Sequence, residues 1–170
     1  EESTPADTND LVYSGVLPED REGHTASVID KRIIIFGGTW TPDGGDIEPT
    51  TYLNDLHILD TAELAWTSPM VSGTPPIERE GHTAATLGPR IYVFGGTWVD
   101  DEEVSHYLND LHVFDSHKMS WASCACTGQV PAQREGHTAT IIGTQMLVFG
   151  GATCPIDEGN TVNLNDLHVM

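Results

Sequence analysis

The sequence predicts an all-β chain in which one antiparallel unit is repeated about three times. Three sets of recurring phrases carry that reading. Arg-Glu-Gly-His-Thr stands at 21–25, 79–83 and 134–138, and Phe-Gly-Gly at 36–38, 94–96 and 149–151, so both advance by 58 residues and then 55. Leu-Asn-Asp-Leu-His follows at 53–57, 108–112 and 164–168. A fixed period of this size is the mark of a repeat architecture. Gly and Pro recur too often for long helices, and no stretch keeps a helical period.

Each unit reads as four short strands. "HTAATLG" and "RIYVFGG" are two runs parted by Gly88-Pro89, a hairpin signal. The second-strand runs "RIIIF", "RIYVF" and "QMLVF" are continuously apolar, as expected of strands covered on both faces. "DLHILD" and "DLHVFD" supply a third strand with apolar residues on both parities. A fourth piece carries Trp66 or Trp121. Four antiparallel strands in about fifty residues is the arithmetic of a propeller blade.

These phrases together, covering roughly residues 15–170, resemble kelch repeats. The resemblance implies a kelch-type β-propeller, of which this chain would hold about three four-stranded antiparallel blades of a larger, six- or seven-bladed ring. The expected divisions are an acidic segment at 1–20 with an outer strand of a preceding blade, and repeats at 21–78, 79–133 and 134–170, the last without its fourth strand. Three blades are too few to close a ring. The open faces call either for further blades from the same longer chain or for a second copy in a homodimer.

Composition narrows the function classes. Lys and Arg total 7 against 26 Asp and Glu, a net charge of −19. That field disfavours nucleic acid and anionic membranes and favours a protein partner, a basic one best of all. Cys124, Cys126 and Cys154 form no disulfide framework, and a single C-x-C does not make a zinc site. Cysteine usage, and the lack of a signal peptide or an apolar stretch able to span a bilayer, suggest a reducing compartment, cytoplasmic or nuclear.

Six of the eight histidines fall inside the repeats: His24, His82, His137, His57, His112 and His168. Equivalent positions on different blades are turned away from one another, so they cannot converge on one ion except at a central channel. The expected role of each His-Thr pair is to satisfy backbone groups at the start of the inner strand. Arg21, Arg79 and Arg134 are expected to pair with Asp55, Asp110 and Asp166, in their own or an adjacent blade. Loss of a well-buried partner would cost on the order of 3–5 kcal/mol. Gly37, Gly38, Gly95, Gly96, Gly150 and Gly151 are assigned to tight backbone geometry. Trp66 and Trp121 are assigned to packing between blades.

Binding is expected on the variable loops between strands two and three, which open on the same side as the links between blades. Their candidate residues are Trp40, Asp43, Asp46 and Glu48 in the first loop, Trp98, Asp100, Asp101, Glu102 and Glu103 in the second, and Asp157 and Glu158 in the third. His106 and His117 are expected in solvent. "DDEE" at 100–103 lacks the ligand spacing of a calcium loop. No hydrolase, phosphate-loop or zinc-protease motif occurs, so neither a catalytic residue nor a metal or cofactor is expected.

The resemblance implies a non-catalytic interaction or scaffold module, as in ubiquitin-ligase adaptors, cytoskeletal linkers and trafficking or transcription cofactors. Its competitor is a propeller enzyme, or a regulatory propeller attached to a catalytic domain outside this segment. Fold by itself does not choose between them.

Overall fold

The computed structural model describes residues 12–42, 50–126, 129–154 and 160–170. All regular structure among them is β. The first sheet has the order β1-β5-β4-β3-β2, with β1 Ser14–Gly15, β2 Thr25–Ile29, β3 Arg32–Trp40, β4 Thr51–Asp60 and β5 Ala65–Thr67. The second comprises β6 Ser72–Gly73, β7 Thr83–Leu87, β8 Arg90–Phe94, β11 Leu111–Asp115 and β12 Ser120–Cys124, in the order β6-β12-β11-β8-β7. A hairpin of β9 Thr97–Val99 and β10 Ser105–Tyr107 extends beyond it. The third sheet has three strands, β13 Thr138–Ile142, β14 Gln145–Phe149 and β17 Leu167–Val169, and β15 Ala152–Thr153 pairs with β16 Val162–Asn163.

Local chemistry sets these turns. Ile29 faces Arg32, Leu87 faces Arg90 and Ile142 faces Gln145, so each first hairpin closes through two residues. The leading turn residue, Asp30, Gly88 or Gly143, has φ of 54°, 56° or 63°, the positive value such turns require. After the third strand, Asp60 Oδ1 accepts from the amides of Ala62 and Glu63, and Asp115 Oδ1 from those of His117 and Lys118. A short acceptor side chain folded onto its own backbone is why Asp stands there.

Each Gly-Gly step brings two chains together. Gly96 has φ of 100°, and a Cβ there would lie 2.6 Å from the Glu80 carbonyl oxygen. That approach lets Glu80 and Thr97 exchange backbone hydrogen bonds at 2.9 Å, joining the start of one repeat to its own second strand. The step does not end the second strand. In the first sheet β3 runs through Gly37 and Gly38 to Trp40, with a register shift between Phe36 and Gly38.

The sheets stack through their first strands, with β2 against β7 and β7 against β13. Gly81 N–H donates to the Gly23 carbonyl at 3.1 Å, and Gly136 N–H to Gly81 at 2.8 Å. The seam between the first and second sheets buries Ile29, Ile34, Phe36, Leu56, Ile58, Ile91, Val93, Phe114 and Trp121. The seam between the second and third buries a smaller set, Ala85, Phe94, Met146 and Val148.

One sequence expectation is corrected. An outer strand of a preceding blade was placed in residues 1–20, of which 1–11 lie outside the described residues. The described part, Ser14–Gly15, pairs in parallel with Ala65 and Trp66 of the sheet that follows it. Ser72–Gly73 does the same on Ser120 and Trp121. The link into each of the first two repeats thus crosses to the outer edge of its own sheet before entering the first strand.

Candidate functional site

The repeated polar residues assemble into closed units. Arg79 donates from Nη1 to Asp110 Oδ1 at 2.7 Å and from Nη2 to Oδ2 at 2.9 Å, and Nη1 also reaches the Gly95 carbonyl at 2.9 Å. Its Nε donates to the Ile77 carbonyl. His112 Nε2 donates to Asp110 Oδ2 at 2.9 Å. The first unit repeats this with Arg21, Asp55, Gly37 and His57, and the third with Arg134, Asp166, Gly150 and His168. Each arginine pairs within its own repeat. Burial pushes the Asp110 carboxyl up, but hydrogen bonds from Arg79 and His112 outweigh it and hold Asp110 well below the usual carboxylate range. Asp55 is lowered in the same way, and the Arg134 hydrogen bond does most to lower Asp166. Both oxygens of each carboxylate are engaged and the arginines are buried, so these units lock geometry rather than offer an open position to a ligand.

The histidines of the second and third Arg-Glu-Gly-His-Thr phrases act between sheets. The Thr25 hydroxyl is bonded to His82 Nε2 at 2.9 Å, and the Thr83 hydroxyl to His137 Nε2 at 2.7 Å. The imidazoles stand edge-on to the preceding sheet's phenylalanine, Phe36 with His82 and Phe94 with His137, centroids 5.4 Å apart in both pairs. The expected role was to satisfy backbone groups at the start of the inner strand; the stacking of sheets instead brings His82 and His137 each to the threonine one repeat earlier. Burial first, and the neighbouring Arg79 second, push His82 down to about 3. Burial and Arg134 push His137 down to about 4. His24 is exposed.

The loop candidates separate. Asp43, Asp46, Glu48, Asp157 and Glu158 lie outside the described residues. Trp40 sits at the end of β3 opposite Thr51. Trp98 does not open a loop, as the sequence suggested, but lies in β9 directly across from His106. Their rings stack at 4.7 Å with a 20° interplanar angle. His106 Nε2 donates to Asp100 Oδ2 at 2.7 Å, and Asp100 Oδ1 accepts from the amides of Glu102 and Val104, each at 2.9 Å. The His106 hydrogen bond is the main cause of a lowered Asp100 carboxyl. Asp100 therefore shapes the hairpin, while Asp101, Glu102 and Glu103 project into solvent.

Sequence reasoning placed His106 in solvent because strand register, which sets it against Trp98, cannot be read from spacing. It also gave no role to Tyr52, whose hydroxyl donates to Glu80 Oε1 at 3.4 Å. Burial, then the Glu80 charge, push that phenol up to about 12. A cleft of about 480 Å³ runs between the first and second units, lined by Thr50, Tyr52, Val99, Asp100, Asp101 and Glu103. Among the repeat tryptophans, Trp121 is buried between sheets and Trp66 is half-buried on β5. Cys124, Cys126 and Cys154 are free thiols.

Three stacked antiparallel units joined by the same bonds at each seam define a partially propeller-like, all-β architecture. The chain belongs to the KLHDC2/KLHL20/DRC7 Kelch-repeats domain family, whose pattern matches residues 23–170. It is 34% identical over 159 residues to human Kelch domain-containing protein 3, covering 91% of this chain and 39% of that protein. It is 36% identical to Rho GTPase-activating protein gacHH of Dictyostelium discoideum over 79% of this chain and 8% of that protein. Human Host cell factor 2 is 35% identical over 81% of this chain and 18% of its own length. The chain thus spans about two-fifths of Kelch domain-containing protein 3 and far less of the others. The solved structure of YjhT shares the fold, with a TM-score of 0.59 at 20% identity over 84% of this chain and 37% of its own. Kelch domains are typically non-catalytic scaffolds that mediate protein–protein interactions. Among the described residues no group of three or more His, Cys, Asp or Glu is placed to hold a metal ion, and no helix is long and apolar enough to cross a membrane.

Proposed function

We propose that this chain is an interaction module within a larger assembly, and that it offers an acidic, loop-built face to a basic segment of a protein partner. One observation carries the reading. The cleft beside the 97–107 hairpin has three carboxylates, Asp100, Asp101 and Glu103, and a tyrosine in its lining, with no Lys or Arg. Its wall is stiffened by the Trp98–His106 stack and the Asp100 turn. A net charge of −19 adds long-range attraction for a cationic partner. On the same reading the repeats are blades of a six- or seven-bladed propeller, completed by further blades of a longer chain or by a second copy, in the cytoplasm or nucleus. The match to gacHH, of which 8% is covered, favours a second reading, in which the repeats accompany a catalytic unit elsewhere in the protein.

The test uses a fluorescein-labelled oligolysine peptide and a triple variant, Asp101→Ser, Glu102→Ser and Glu103→Asn, which spares Asp100 and so the hairpin. Affinity should fall at least tenfold in the variant, and its salt dependence should flatten. Equal binding and equal salt dependence in both proteins would dismiss this face.

A further inference from the structure

The two seams differ on the loop face, and the difference is not one the fold requires. At the first seam a hollow of about 360 Å³ adjoins the acidic cleft. It shares most of that cleft's lining and adds Trp98 from β9 and Glu78 from the link into the second repeat. One repeat on, Tyr52 becomes Tyr107, but Glu78 becomes Gln133 and Trp98 becomes Thr153. The tyrosine serves the seam itself: Tyr52 donates to Glu80, and Tyr107 is bonded to Glu135. Thr153 pairs across its hairpin with Val162, as Trp98 pairs with His106. The repeat therefore uses the tyrosine at both seams but builds the same strand pairing without the tryptophan or the glutamate. Residues that the scaffold does not call for, on its variable loops, are where recognition resides.

Trp98 is half-buried. His106 lies against one face of its indole at 4.7 Å and is itself tied to Asp100. The imidazole does not line the hollow, so the indole surface turned to the hollow is one that His106 leaves free. The ring is thus held in place before a ligand arrives, which lowers the ordering cost of binding. Glu78 and Asp101 stand beside it on separate segments, and neither enters an ion pair among the described residues. A fixed aromatic surface rimmed by unpaired carboxylates fits a cation that is flat. Guanidinium stacks on indole, is more weakly hydrated than ammonium, and donates from two edges to acceptors on either side. An ammonium group has no flat face to stack and gives up more hydration in the same place.

We infer that this hollow receives the side chain of an arginine in the partner's basic segment, with its guanidinium stacked on Trp98 and hydrogen-bonded to Glu78 and Asp101. Tyr52, oriented by its bond to Glu80, supplies a further wall. The inference rests on the acidic-face reading and adds to it the identity of the cation. Charge alone would draw lysine and arginine alike, whereas the indole and the two separated carboxylates select between them. Selection is confined to the first seam, because the second has Thr153 and Gln133 at the equivalent positions.

Fluorescein-labelled oligoarginine and oligolysine peptides of equal length would be titrated into the protein at the same ionic strength and read by anisotropy. The arginine peptide should bind about threefold more tightly or better. Trp98→Leu should remove that preference, leaving the two dissociation constants within about twofold of each other and oligolysine binding unchanged. Glu78→Gln lies in a link outside every strand, so it tests the site even if Trp98→Leu disturbs the hairpin. It should weaken oligoarginine about threefold more than oligolysine. If neither peptide binds, the acidic face falls and this inference with it. If both bind equally well, or if the preference for arginine survives either substitution, the acidic face stands and the arginine site does not.

Discussion

The second and third sheets have the same polar skeleton and very different surroundings. Arg79 with Asp110 and Arg134 with Asp166 make the same pairs at the same distance of 2.7 Å, and both arginines are fully buried. Yet Phe94 is 0% exposed and its counterpart Phe149 is 51% exposed. Thr83 holds the next sheet's histidine, whereas the Thr138 hydroxyl has no partner among the described residues. The closed ion-pair unit is thus local to a repeat, while apolar burial and the His-Thr bond exist only where another sheet lies alongside. A repeat keeps its internal geometry without a neighbour but gains much of its stability from one.

Matched substitutions would break that comparison if it is wrong. Phe94→Ala should cost about 3–5 kcal/mol, the usual loss for a buried aromatic, and Phe149→Ala about 1 kcal/mol or less. Denaturant melts of both would measure it, and equal losses would mean that Phe149 is covered in solution. Thr83→Val should cost about 1–3 kcal/mol by leaving a buried imidazole nitrogen unpaired. Thr138→Val should stay within about 0.5 kcal/mol of wild type.

Acid would sharpen the contrast further. Burial keeps His82 neutral down to about 3, so the unfolded chain takes up this proton first as pH falls. Above about pH 6.5 the site has no such liability, because both states are neutral there. Below it stability should decline by about 1.4 kcal/mol per pH unit until the folded site itself protonates. Melting curves from pH 7 to 4.5 should therefore be flatter for His82→Gln than for wild type. An equal slope in the two proteins would refute the assignment.

The periodic elements were legible because each depends on neighbours close in sequence. The hairpin at Gly88-Pro89 and the continuous apolar second strands announce themselves in the spacing of Gly88 and of Ile33 to Phe36. The Arg–Asp pairing was legible from charge and period together, since Arg21, Arg79 and Arg134 recur once per repeat in step with Asp55, Asp110 and Asp166. What could not be read depends on how sheets stack. The bond from His82 to Thr25 spans 57 residues and two sheets. The Trp98–His106 stack needs the register of a hairpin whose loop, 100–104, carries no periodic signal. The parallel seat of Ser14–Gly15 on β5 depends on where a link happens to cross.

Arg79 belongs to two sheets at once. Its guanidinium is held by the second sheet, while its own amide donates to Leu53 and its carbonyl accepts from Gly38, both in the first. Arg134 stands in the same relation to the second and third, through Leu108 and Gly96. Each sheet therefore arranges the main chain from which the next sheet's ion pair is hung. A repeat array wired in this way should melt as a unit that lengthens with every repeat added, rather than as independent leaves, because the main chain at Arg79 and at Arg134 is bonded to the sheet before it.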